Sequence, residues 1–374
     1  MNGRRISVLT VLAVAAALGT LWRPASAGPS SVARAVQARD GGAAAPLRVV
    51  VKSDERVGRV DVTIGGQPFT SYIWPDRLKK PVLYPLRSAK GMLVTRGWPL
   101  DPRPGERVDH PHQVGLWFDY GSVNGIDFWN NSEALKPDEA AKMGTIVHRR
   151  IVSTGNGAES GALVTESDWI APGDKLLLRE RAEFVFRGDA TSRSVDRITT
   201  LTAADTRVVF NDNKEGLFGM RVARQLEQPS TTPEVFTDAS GKTTAVPVLD
   251  NTGVTGSYRS SEGKTGDAVW GTRGRWTMLT GRIGSEPITL AVLDHPSNPG
   301  FPTYWHARGY GLFAANPLGP SVLTDGKQPA LNLTLEPHAS TTFRYRLLIL
   351  DGADAAGRVE REYSAFAAGQ TSRR

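Results

Sequence analysis

Residues 144–204 read GTIVHRRIVSTGNGAESGALVTESDWIAPGDKLLLRERAEFVFRGDATSRSVDRITTLTAA. Four strand-like runs stand in this stretch: Thr145 to Thr154, Ala162 to Ile170, Lys175 to Phe186 and Ser194 to Thr202. The joins carry Gly155-Asn156-Gly157, Pro172-Gly173-Asp174 and Gly188-Asp189, residue types that turn a chain at low steric cost. Runs of this kind joined by such short turns predict a meander of antiparallel strands. In the third run Leu178, Ala182, Phe184 and Phe186 share one face at period two, and Glu180 interrupts the stripe. Buried unpaired carboxylates are rare, so Glu180 is expected at a sheet rim, with pairing inside the sheets as the alternative.

The same style extends in both directions. Leu47 to Ser53, Arg59 to Ile64 and Phe69 to Trp74 precede the meander as strands, and Pro75, Pro81 and Pro85 make 76–86 an irregular or edge segment. Thr206 to Phe210, Gly219 to Leu226, Arg275 to Arg282, Ile288 to Leu293, Gly311 to Ala314, Ala330 to Leu335 and Thr341 to Leu350 follow it. One helix is expected, Asp354 to Ala368, where Val359, Tyr363 and Phe366 form a single apolar stripe. More than a dozen strands are best buried by stacking two sheets. The expected fold is all-β, a large two-sheet antiparallel β-sandwich of supersandwich-like form with one C-terminal helix. No repeat or internal linker interrupts 47–350, so residues 47–370 are expected to form one domain.

The N-terminus reads differently. Arg4 and Arg5, the apolar run from Ile6 to Leu21 and the small residues Ala25-Ser26-Ala27 make 1–27 an export signal, and Ala/Ser/Gly-rich 28–46 a disordered lead-in. The mature chain is therefore expected outside the cytoplasm, secreted or otherwise extracytoplasmic, with no membrane span of its own. The absence of cysteine excludes disulfides, a lipid anchor on Cys and thiolate chemistry. The signal carries three of the seven net positive charges, and what remains is too scattered to point to nucleic acid. Nothing in the sequence sets the oligomeric state.

Polar and aromatic residues concentrate in three segments. The first, Val108 to Asn131, holds His110, His112, Asn124, Asp127 and Trp129. Pro111 should force His110 into an extended conformation, so that both imidazoles of His110-Pro111-His112 point the same way. Such a pair admits a divalent metal, acid/base work or a grip on a sugar hydroxyl or carboxylate, the metal not being the favoured reading. The second segment, Asn211 to Arg221, places Asp212, Lys214 and Glu215 at a strand exit and adds Arg221. The third, Asp294 to Arg308, is a proline-rich loop carrying His295, Tyr304, Trp305, His306 and Arg308. Rings beside Asn, Asp and Arg suit a sugar, whose C–H face stacks while its hydroxyls are read by polar groups. Trp117 and Phe118, which alternate with polar positions, are assigned to the core. Nucleophile elbows, phosphate loops, dinucleotide fingerprints and zinc helices are absent.

Several motifs in order resemble the PmoA-like family of bacterial proteins: His110-Pro111-His112, Gly115-Leu116-Trp117-Phe118, Val123 to Trp129, Lys214-Glu215-Gly216, Trp305-His306-Ala307-Arg308 and Gly311 to Gly319. The resemblance implies a β-sandwich of unestablished function, with relatives secreted by carbohydrate-degrading bacteria. The family's usual label, methane oxygenase, describes an integral membrane protein, and this chain has no spanning segment after its signal. Gln113 and Val114 stand where the family pattern has His and Arg, which would fit a ligand bound without turnover. The expected function is that of an exported carbohydrate-active enzyme, a hydrolase, lyase or isomerase acting on a small-molecule or glycan ligand. His110, His112, Glu215 and His306 are the catalytic candidates. Asn124, Asp127, Trp129, Lys214, Arg221, His295, Tyr304 and Arg308 are the substrate-binding candidates. A non-catalytic glycan-binding module is the second reading, and a metal-dependent oxidative enzyme the third.

Overall fold

The computed structural model describes residues 44–369 apart from 239, 241, 247, 248, 353 and 354. The signal assigned to 1–27 and most of the lead-in therefore lie outside the described residues. Two eight-stranded sheets dominate, and every strand pairing in them is antiparallel. The first runs, edge to edge, Val49–Asp54, Arg59–Ile64, Gln67–Ile73, Val82–Leu83, Leu116–Tyr120, Gly216–Arg221, Leu312–Asn316 and Tyr304–Arg308. The second runs Ser257–Ser260, Trp276–Ile283, Glu286–Asp294, Ser340–Asp351, Ser192–Ala203, Lys175–Gly188, Ser160–Ala171 and Thr145–Gly155. The meander read from 144–204 thus supplies half of the second sheet.

Alternation along the strands sorts side chains to the two faces of each sheet. Inward residues of both sheets form one core, in which Phe218 stacks on Tyr345 at 5.0 Å and Phe118 meets Phe343 at 5.8 Å. The outer face of the second sheet is covered by the helix Ala356–Ala367, whose Val359, Tyr363 and Phe366 pack on Trp276, Leu293 and Leu348. The outer face of the first sheet carries a third cluster around Trp117, Trp129, Leu312 and Ala314.

Glu180 is not at a rim. It is buried among the inward residues, where Arg197 Nη2 donates to its Oε1 at 2.5 Å and Trp169 Nε1 donates to its Oε2 at 2.8 Å. Both carboxylate oxygens are satisfied, which lets a charge stay inside. Two strands lie within polar segments for which no strand is expected, Leu116–Tyr120 in the first and Tyr304–Arg308 in the proline-rich loop. The run Gly219 to Leu226 divides instead into the strand Gly216–Arg221 and a turn of 3-10 helix, Arg224–Leu226.

Candidate functional site

The site is built on the outer face of the first sheet. Trp117, Gly219, Ala314 and His306 lie side by side in register across four adjacent strands. A Cβ on Gly219 would sit 2.8 Å from the Trp117 ring, so this glycine lets the indole lie over the strand. Trp129 packs in one cluster with Trp117 and Ala314, 5.3 Å from the Trp117 ring and stacked at 11° on His306, 6.2 Å away. Asp127 shapes the loop that brings Trp129 there. Its Oδ1 accepts the backbone N–H of Trp129 at 2.8 Å and of Asn130 at 3.0 Å, and its Oδ2 accepts Asn130 Nδ2 at 2.7 Å.

His306 is 3% exposed, its Nδ1 has no hydrogen-bond partner among the described residues, and Trp270 meets its ring edge to face at 4.7 Å. Glu215 Oε2 approaches that Nδ1 to 3.8 Å while Lys214 Nζ stands 3.3 Å from Oε1. Burial lowers the His306 pKa to about 3, and burial raises that of Glu215 although Lys214 opposes it. Arg308, exposed, lies over Trp270 at 4.5 Å. His112 on the other side of Trp129, 6.4 Å away, is likewise held well below the usual imidazole range, first by burial and then by Lys80.

His110 completes the wall and corrects an expectation. It is not extended before Pro111: its φ is 45°, in the left-handed region, and its ring crosses that of His112 at 81°. Arg96 Nη2 and Gln113 N–H both donate to the His110 carbonyl, at 3.0 Å each, and hold this conformation. Strain of this sort costs about 1–3 kcal/mol and persists where surroundings over-determine it. The ring is parallel to Tyr310 at 5.0 Å, and its Nδ1 is 3.0 Å from Asp109 Oδ2, leaving Nε2 for a ligand. A charge on His110 would be felt at both Glu215 and His306.

Asp109 anchors this wall. Its Oδ1 accepts Arg96 Nη1 at 2.5 Å and Arg221 Nη2 at 2.6 Å, and the two guanidinium groups hold its carboxyl well below the usual range against the effect of burial. Burial and the neighbouring Arg221 bring Arg96 down to about 9. Arg221 is wholly buried and its Nη1 donates to Gln113 Oε1 at 2.6 Å, so it is an anchor and not the substrate clamp expected. Behind Trp117 lies a second buried pair, Lys80 Nζ 2.6 Å from Asp119 Oδ2, with Lys80 also donating to the Trp129 carbonyl at 3.2 Å. Burial pushes Asp119 up to about 7 despite Lys80.

His110, His112, Glu215, His306, Asp127, Trp129, Lys214 and Arg308 are thus brought together. Three candidates are not. Asn124 spends its side chain on the backbone of a neighbouring segment, accepting Val209 N–H at 2.7 Å and donating to the Arg207 carbonyl at 3.0 Å. His295 is bonded to Ser297 and packed on Phe366 of the helix, in the second sheet's outer layer. Tyr304 shares a strand face with His306 but is buried under Arg273, 5.3 Å away. Trp117 is buried as expected, yet in the outer cluster and not between the sheets. Sequence reasoning missed Asp109, Arg96, Trp270 and Tyr310. Asp109, next to the histidine it orients, was the most legible of them. Among the described residues no three His, Asp or Glu side chains are arranged to hold a metal ion, and no helix is long and apolar enough to cross a membrane.

Residues 59–364 match the model of a family of unknown function (DUF6807). This corrects the resemblance drawn from the motifs, since no PmoA-like family matches. No curated protein sequence matches the chain. Among solved structures the chain is similar to galactose 1-epimerase from Lactobacillus acidophilus NCFM, with 12% identity, 82% of this chain and 99% of that one covered, and a TM-score of 0.33. It is also similar to a galactose mutarotase-like protein from Clostridium acetobutylicum, with 9% identity, the same coverages and a TM-score of 0.35.

Proposed function

The chain belongs to the family of unknown function DUF6807, and within it we propose an exported enzyme that moves a proton on a sugar or sugar-derived ligand bound to the outer face of the first sheet. The observation that carries this reading is the placement of Glu215, 3.8 Å from a neutral His306 between Trp129 and Trp270, in a wall that also holds the Asp109-oriented His110, near enough for its charge to act on Glu215. Glu215 is the stronger base of its pair, because its pKa is raised above the ordinary 4.5 while that of His306 is near 3. Glu215 takes a proton and His110 returns one. His306 stays neutral and contributes shape and a polar edge. Trp270 and Tyr310, both half-buried, offer rings to the apolar face of a sugar, the wholly buried Trp129 supports the wall behind them, and Arg308 and Lys214 offer donors to its hydroxyls.

A single free carboxylate facing an imidazole favours isomerisation or elimination over glycoside hydrolysis, which ordinarily uses two carboxyl groups. The other acids nearby are engaged: Asp127 has both oxygens bonded within its own loop, Asp119 is buried beside Lys80, and Asp109 is held by Arg96 and Arg221. Gln113 and Val114 do not argue for a merely binding role. Gln113 holds Arg221, and Val114 is buried in the outer apolar cluster, so each has a structural task. Incubating the protein with a panel of aldoses, uronates and reducing disaccharides, and following solvent deuterium incorporation or anomeric exchange by NMR, tests the proposal. Turnover by the parent and its loss in Glu215→Gln is the expected result. Ligand retention without any exchange or product would favour a glycan-binding module instead.

A further inference from the structure

Across His112 from the site lies a separate cleft of about 340 Å³, large enough for one sugar residue and within the range of small-molecule pockets. Its wall is shared: the His112 ring that lines it also contacts His110 at 5.7 Å and Trp129 at 6.4 Å. Three buried lining residues carry polar atoms with no hydrogen-bond partner among the described residues: His112 Nε2, Asn131 Oδ1 and Ser132 Oγ. Leaving such atoms unpaired costs about 1–3 kcal/mol each; all three are themselves closed off from solvent just behind the cleft wall, so a hydroxyl-rich ligand would pair them with a small side-chain rearrangement there. Asn131 Oδ1 can only accept, so it asks for a donor, and Ser132 can do either.

The charge of the cleft is also uneven. Arg77 and Lys79 stand in its lining and, among the described residues, have no carboxylate partner within ion-pair distance, Arg77 reaching only the Pro99 carbonyl at 3.4 Å. Lys80 is buried against Asp119, 2.6 Å away, and Glu133 is the one acid in the lining. Trp98 adds an aromatic surface, with the Arg96 guanidinium 5.1 Å from its ring.

We propose that this cleft is a second subsite, taking a carboxylate-bearing sugar residue whose hydroxyls meet Asn131, Ser132 and His112 and whose carboxylate meets Arg77 and Lys79. The proposal rests on reading the adjacent face as a sugar site. It deepens that reading by making the ligand an acidic oligosaccharide spanning both sides of His112. A monosaccharide would occupy one side only and forfeit the contacts of the other.

The test uses the full chain and isothermal titration with digalacturonate and a glucuronate-containing disaccharide, each against its neutral methyl ester. The acids should bind roughly ten-fold or more tightly than the esters, as expected for charge-assisted hydrogen bonds. In Arg77→Ala/Lys79→Ala, two surface changes whose folding is checked by thermal unfolding, that preference should fall below about two-fold. In Glu215→Gln it should persist, because Glu215 lies on the other side of His112. Equal affinity of acids and esters, or a preference that survives the double substitution, overturns the acidic subsite. If esters bind and are turned over in a Glu215-dependent way, the sugar reading stands without it. Failure of every acid and ester to bind overturns both.

Discussion

Glu215 Oε2 and His306 Nδ1 lie 3.8 Å apart on the outer face of the first sheet, and burial shifts their proton affinities in opposite directions. In water an imidazole holds a proton about two pH units more strongly than a carboxylate. Here the order is inverted, because desolvation opposes the charged form of each group, an anion in one case and a cation in the other. The proton of this pair therefore belongs to Glu215.

Activity should fall as pH drops through the raised pKa of Glu215, giving an acid limb whose midpoint lies above the ordinary 4.5. Glu215→Gln should lower kcat by about 10²–10⁴-fold, the usual contribution of a positioned acid or base. A kcat–pH profile of the parent with the best substrate of the NMR panel checks both. An acid limb at or below 4.5 would show that another group is the base.

Acid stability should report His306. Its folded pKa, about 3, is depressed from 6.5, so its contribution is fully present above 6.5 and is lost as pH falls from there towards 3. Thermal unfolding measured at intervals between pH 7 and 4 should show a shallower decline in His306→Gln than in the parent. Because the comparison is a difference between two chains, the other titrating groups largely cancel.

Lys80 and Asp119 form a pair whose two members are 4% and 0% exposed. Asp119→Asn leaves a buried ammonium without its counter-charge and should cost about 3–5 kcal/mol, as should Lys80→Met for the opposite reason. The double variant Lys80→Met/Asp119→Asn should cost clearly less than the two single changes added together. Chemical denaturation of the four proteins measures the coupling. Simple additivity would mean that water screens the pair.

Gly219→Ala should destabilise by about 1–3 kcal/mol through overpacking, because its Cβ would stand 2.8 Å from the Trp117 ring. Displacing Trp117 moves Trp129, against which both His112 and His306 lie. Ligand affinity should therefore fall together with stability, and tryptophan fluorescence should shift. An unchanged spectrum with parental affinity would separate this row of the sheet from the site.

Asp109→Asn removes the carboxylate that Arg96 and Arg221 share, and both guanidinium groups are almost wholly buried. The cost should be about 3–5 kcal/mol, read from the denaturation midpoint. The same change frees His110 Nδ1 from its acceptor, so any residual activity should show an altered pH profile.

The sequence by itself determined the sandwich. Period-two alternation in 160–203, turn residues at the joins and the three-residue apolar stripe of the final helix are local signals. Each is decided by neighbours a few residues away, so strands such as Arg59–Ile64 were read to the residue. It also determined that His110, Glu215 and His306 lie in dense polar segments. Only the tertiary structure decided which of those residues meet. Register across four strands set Gly219 and Ala314 beside His306 and opened the place for Trp129. It turned Arg221 into an anchor for Asp109, drew Asn124 to the backbone of Val209, and paired Glu180 with Arg197 inside the sandwich. The physical reason is the same throughout. A buried charge or amide must find its partner wherever packing places one, and the partners here are separated by 17 to 112 residues of chain, a range over which local pattern carries no information.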